Sequence, residues 1–138
     1  ANSAFYGASY RTTSVFDAVL RVGSNTLQSL ALSLGAFRSF SATDRCAGFK
    51  IETHEAHSFL VARIAARLVT HAQSEDAFAM ALLHDIGKLV FASRMPREFA
   101  PLLAKAAADG EPLFAIEERA GFTPHAEAGA HLLGAWGL

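Results

Sequence analysis

The sequence predicts an all-α fold, and three observations carry that reading. Apolar residues recur at three- and four-residue spacing through most of the chain, as in Leu27, Leu30, Ala31 and Leu34 or Leu60, Val61, Ile64 and Leu68. Helix punctuation recurs between those runs: Gly23, Pro96, Asp109-Gly110, Pro112, Gly121 and Thr123-Pro124. No segment holds the strict apolar–polar alternation of a half-buried strand over any length. The chain has 138 residues, 51% of them apolar. That length fits one domain, which buries roughly two-thirds of its unfolded surface without disulfide staples.

Residues 1–13 read as a loop. Ser14 is placed to cap a short helix whose apolar side is Val15, Phe16, Val19 and Leu20, with Gly23 ending it. Ser24 or Asn25 caps the next, which carries Leu27 through Phe37. Ser39 to Gly48 is polar and reads as a surface loop holding Cys46. A longer helix follows from about 51 to 70, with His57, Leu60, Val61, Ile64 and Leu68 on its apolar stripe. His71 and Gln73 fit a loop. Ser74 then caps a helix over about 75–94, with Glu75 and Asp76 in its first turn. That helix is apolar nearly all round, which marks the centre of a bundle. Gly87 weakens it, at a place suited to close packing against a neighbour. A helix over 97–108 follows Pro96, and another follows Pro112. Thr123-Pro124 supplies an N-cap and first position for the last helix, which runs toward Trp136.

Charge and cysteine content exclude several classes. A formal net charge of −1 lacks the surplus of Lys and Arg that nucleic acid or an anionic membrane surface demands. No run approaches the roughly 20 apolar residues of a membrane span. The N-terminus lacks the basic-then-apolar order of a signal peptide. The single cysteine forms no internal disulfide, so a reducing, cytoplasmic setting is expected.

The chemistry concentrates in Leu82-Leu83-His84-Asp85-Ile86-Gly87-Lys88. A carboxylate inside an apolar helix costs several kcal/mol, on the order of the burial penalty for a charge, unless it is paired or bound to a cation. Three separate helices each direct a histidine inward: His57, His84 and His125. Imidazoles and a carboxylate from separate helices are the ligand set of a divalent metal in a helical protein. Such a cation polarises water and orients phosphate oxygens. The competing reading is a metal-free hydrogen-bond network of His57, His84, Asp85 and Glu118. Lys88 either contacts a ligand phosphate or pairs with a carboxylate. His71 and His131 read as surface residues, and His54 lies near the His57 face at the start of its helix. Nucleophilic catalysis has no support beyond the isolated Cys46, and no Gly-rich phosphate loop is present.

An ordered series of segments carries a family resemblance: Asn2 to Gly7, Ala18 to Gly23, His57-Ser58, Leu82 to Lys88, His125-Ala126-Glu127-Ala128-Gly129-Ala130 and Trp136-Gly137-Leu138. Together they resemble an HDOD domain, a relative of the HD phosphohydrolases and the HD-GYP cyclic-di-GMP phosphodiesterases. The resemblance covers essentially the whole chain. It implies a multi-helix HD-type bundle and a bacterial signal-transduction domain that regulates or interacts rather than catalyses. In HD relatives the His-Asp pair binds metal together with an earlier histidine and a later aspartate. By motif position His57, His84 and Asp85 carry over, and His125 resembles the histidine of the HD-GYP His-Pro-x-x-Gly element, although here the proline precedes it. Asp109 is the only aspartate after Asp85, and its helix-ending turn does not suit the closing ligand. The Gly-Tyr-Pro motif is absent.

The resulting expectation is a single HDOD-like domain over 1–138, cut short at both ends, with a vestigial metal site at His57, His84, Asp85 and His125. The cofactor class is a divalent metal, Fe, Mn, Zn, Ni or Mg. Expected partners are other signalling proteins or domains, a nucleotide or cyclic dinucleotide, and a second copy of the chain, with no nucleic acid or membrane. The alternative is an active metal-dependent phosphohydrolase acting on a nucleotide or cyclic dinucleotide, with Lys88 on its phosphate.

Overall fold

The structure, a computed structural model, describes Gly35 and residues 46–137, and the helices expected before residue 35 lie outside that span. Six α-helices follow one another among the described residues: α1 (Ile51–Leu68), α2 (Ser74–Leu83), α3 (Ile86–Arg94), α4 (Pro96–Asp109), α5 (Leu113–Arg119) and α6 (His125–Ala135). A single 3₁₀ turn, His71–Gln73, joins α1 to α2. No strand occurs among the described residues. The all-α expectation holds there.

The α1–α2 contact is made by small residues. Ala62 on α1 is fully buried against Phe78 and Leu82 of α2, and Ser58, one turn earlier on the same face, is fully buried as well. The inward face of α1 is therefore Ile51, His54, Ser58 and Ala62. This corrects the stripe read from the sequence. Leu60, Ile64 and Leu68 are exposed, and so is His57. Bulky side chains would hold two helix backbones apart, whereas serine and alanine let them close. Packing distance, not hydrophobicity alone, chooses the face.

The expected single helix over 75–94 is two helices. The ladder breaks at His84-Asp85, where the Asp85 backbone (φ −105°, ψ 14°) leaves helical geometry just before α3. Local polar competition supplies the cause. His84 Nδ1 donates to the Ala81 carbonyl at 2.6 Å, and Lys88 reaches back to the Asp85 carboxylate at 2.5 Å. The break leaves α3 free to cross α6 closely. Gly87 meets Gly129 there, and a Cβ added at Gly87 would lie 1.8 Å from the His125 carbonyl oxygen.

The remaining helices close the core. Phe91 of α3, Phe99 of α4 and Phe122 before α6 form an aromatic cluster, with Phe91 and Phe122 edge to face at 4.8 Å. Cys46 joins this cluster as a buried residue rather than a surface one. Gly110 adopts the left-handed conformation (φ 66°) that ends α4.

Two expected caps also move. Ser74 is the first residue of α2, and its hydroxyl donates backward to the His71 carbonyl at 2.9 Å. Pro124, not Thr123, is the cap of α6, because the His125 N–H is met by the Glu117 carboxylate at 3.0 Å.

Candidate metal centre

Asp85 stands at the junction of α2 and α3 with a nearly buried carboxylate, 7% exposed. Its two oxygens face different surroundings. Oδ2 takes Lys88 Nζ at 2.5 Å, His84 Nε2 at 3.2 Å and His57 Nε2 at 3.7 Å. Oδ1 faces His125 Nε2 at 3.4 Å. The α2–α3 break turns His84 and Asp85 toward α1, and the α3–α6 glycine contact brings His125 to the other side.

Three of these groups have ligating atoms within 4.8 Å of one another: His57, His84 and Asp85. The His57 and His84 rings lie 5.4 Å apart. His57 is half-exposed at 51% and opens onto a cavity of about 290 Å³. Lys50, Thr53, His54 and Lys88 line it with Phe49. His125 approaches from the interior. Its Nδ1 lies 2.7 Å from the Oε2 of a fully buried carboxylate, Glu117.

Electrostatics follow from these contacts. Burial works to raise the Asp85 pKa, but the His125 and His84 rings facing it and the Lys88 ammonium bonded to it override burial and hold the carboxyl well below the usual range. His84 moves the other way. The Asp85 carboxylate beside its ring raises the imidazole above its ordinary value, against the opposing effect of burial. His54 is buried beside Phe49, with ring centroids 5.4 Å apart. Burial lowers its pKa to about 4 despite the nearby Asp85 charge.

The structure places the residues singled out in the sequence as follows. His57, His84 and Asp85 converge, Lys88 pairs with Asp85, and His125 reaches Asp85 from the far side. Glu118, expected in a metal-free network, is exposed, and its neighbour Glu117 occupies the buried place. Glu117 lies four residues after half-buried Leu113 and Glu118 four after exposed Phe114, so both follow an apolar residue at helical spacing, and it is the packing of α5 that separates them. Asp109 pairs with Lys105 at 2.8 Å at the exposed end of α4. His131 is exposed and contacts the Glu127 carbonyl at 3.0 Å. His71 is exposed in the 3₁₀ turn.

The HDOD domain family matches residues 1–138. The chain belongs to the HDOD family. An uncharacterized protein of Treponema pallidum (strain Nichols) is 30% identical over 137 residues, which is 99% of this chain. The chain spans 27% of the length of that relative. No solved structure matches. No helix of the described residues is long and apolar enough to cross a membrane.

Proposed function

We propose that this HDOD domain is a signalling and interaction module whose HD-derived centre binds a divalent cation without sustaining steady hydrolysis. The donor set suits a cation. The Ala81 carbonyl can only accept, so His84 Nδ1 carries the hydrogen. In the neutral ring, His84 Nε2 is then a lone pair facing the Asp85 cluster. A backbone carbonyl behind a ligating imidazole is the usual outer support of such a ligand. His57, His84 and Asp85 would hold the ion, of the Fe, Mn, Zn, Ni or Mg class, which would supply Lewis acidity there.

One observation carries the non-catalytic part. The Lys88 ammonium sits on Asp85 Oδ2 at 2.5 Å, and no further carboxylate joins His57, His84 and Asp85 within the cluster among the described residues. One carboxylate already shared with a lysine offsets little of the charge of a divalent ion, and less of two. Hydrolytic centres of the two-metal kind rely on such offsetting ligands.

A second reading, an active phosphohydrolase, draws on the cavity. Lys50 and Lys88 beside Thr53 and His57 offer cations and donors to the phosphate of a nucleotide or cyclic dinucleotide. One experiment separates the readings. The protein is purified in the presence of Mn, Fe or Zn, its metal content is measured, and hydrolysis of nucleotides and cyclic dinucleotides is assayed alongside His84→Ala. Retained metal with no turnover is expected. Steady turnover abolished by His84→Ala would establish the phosphohydrolase, and failure to retain any metal would remove the cation from the proposal. The cytoplasmic setting and protein partners follow from the same regulatory reading.

A further inference from the structure

The Glu117 side chain has both of its hydrogen bonds on one residue. Its Oε2 accepts from the His125 backbone N–H at 3.0 Å and lies 2.7 Å from His125 Nδ1. Its Oε1 is buried with no hydrogen-bond partner. A fully buried carboxylate is an expensive group to hold for a helix start alone, since Ser, Thr or Asn does that work at the surface. Its whole polar role is spent on orienting a single imidazole.

That orientation has a chemical consequence. An ionised carboxylate oxygen only accepts, so the hydrogen of the His125 ring is drawn to Nδ1. In the neutral ring, Nε2 is then a lone pair, and it points at Asp85 Oδ1, another acceptor, at 3.4 Å. This separation is beyond the usual 2.7–3.2 Å of an N–H···O bond. Two acceptors facing each other at that range are relieved by positive charge, either a proton on Nε2 or a cation shared by the two, and only the Nδ1–H ring leaves the place to a cation.

We propose that Glu117 is a positioning residue of the cation centre: it fixes His125 in the tautomer that presents Nε2, so that His125 joins Asp85 from the buried side. The proposal rests on the cation-binding reading above and extends it to a residue outside the His-Asp motif. A carboxylate on the far nitrogen of a ligating imidazole is the arrangement by which outer carboxylates would tune such a ligand. The Gly87–Gly129 contact holds the same imidazole against translation, while Glu117 holds it against rotation.

The test uses the whole chain, ring-¹⁵N spectra of its histidines, and calorimetric titration with Zn²⁺. Metal-free wild type at neutral pH should show His125 protonated at Nδ1 and bare at Nε2. Glu117→Leu should release that preference toward Nε2–H and weaken Zn²⁺ binding by roughly 10- to 100-fold, the usual effect of losing an outer-shell partner. Glu117→Gln, which keeps an accepting oxygen and carries the test if the leucine variant fails to fold, should keep the tautomer and weaken binding by less. A doubly protonated His125 in the metal-free wild type would overturn the proposal. So would Zn²⁺ affinity within twofold of wild type in a folded Glu117→Leu, because the ion would then bind without the carboxylate. Absence of Zn²⁺ binding by the wild type is a different result. It removes the cation reading itself, and with it the purpose assigned to Glu117.

Discussion

The two oxygens of Asp85 face two kinds of protein. Around Oδ2 stand His57, His84 and Lys88, with side chains 51%, 35% and 24% exposed beside an open cavity. Around Oδ1 stands His125, 11% exposed, backed by a fully buried Glu117 and by a helix crossing in near-backbone contact. The open side is built from long or rotatable side chains, each with solvent to move into. The closed side is built from packing and admits little movement. The difference divides the labour within one carboxylate's surroundings: exchange of ions and ligands belongs to the Oδ2 face, and the geometry that gives that exchange a reference belongs to the Oδ1 face.

The most severe way to break this division is Gly87→Ala. Its Cβ would lie 1.8 Å from the His125 carbonyl oxygen and 2.8 Å from the Gly129 nitrogen. Both are backbone atoms, so no side-chain rotation relieves the clash. Separating α3 from α6 removes His125 from Asp85 and opens the Ile86 cluster to water. A stability loss of about 3 kcal/mol or more is expected, at the upper end for overpacking, measured by urea unfolding. Gly129→Ala is the control. Its nearest contacts are 3.2 Å to the Gly87 nitrogen and 3.4 Å to an Ile86 methyl, and about 1 kcal/mol is expected there. Equal effects from the two substitutions would show that the crossing yields evenly and does not anchor the closed side.

Part of this arrangement is legible in the sequence. Helix positions follow from spacing and from proline and glycine punctuation except for the division between α2 and α3, and the motif positions mark His57, His84 and Asp85. The break at His84-Asp85 is not legible in the same way, because apolar periodicity runs straight through Leu82, Leu83, Ile86 and Leu89. It depends on side-chain bonds to Ala81 and Lys88, which periodicity does not encode. The inward face of α1 is misread for a related reason. Hydrophobic weight favours Leu60, Ile64 and Leu68, while close approach to α2 favours Ser58 and Ala62. Glu117 against Glu118 is not legible either, because Leu113 and Phe114 stand four residues before the two carboxylates alike and only the packing of α5 turns the Leu113 side inward.

A pH experiment sharpens the contrast within α1, where His54 points inward and His57 outward. The His54 imidazole is lowered to about 4 by burial, against an ordinary value near 6.5. Between these pH values the unfolded chain binds the proton and the folded one does not. Stability contributed by His54 is therefore intact above pH ~6.5 and falls as pH drops toward 4, by at most about 3 kcal/mol. Asp85 adds to that fall only where unfolded carboxylates begin to protonate, near pH ~4. His84, with its raised value, has the opposite sign: its contribution is full below ~6.5 and fades as pH rises through its folded value. Urea unfolding of wild type and His54→Leu across this range should show a slope that the substitution flattens. An unchanged slope would place the sensitivity elsewhere.

The smallest expected effect on stability is also the sharpest test of the open side. His57 is exposed, and its nearest charged contact, Asp85 Oδ2 at 3.7 Å, is longer than a hydrogen bond. His57→Ala should leave stability within about 0.5 kcal/mol of wild type, as surface substitutions usually do. Its effect on Zn²⁺ titration should be far larger, because it removes one of the three ligand atoms that converge on the open side among the described residues. A residue that costs almost nothing to the fold and much to the ion is what an exchange face predicts. If instead His57→Ala destabilises the chain while Zn²⁺ affinity stays at the wild-type value, His57 is a packing residue of the α1–α2 pair. The centre would then reduce to His84, Asp85 and His125, and its working face would be the buried one.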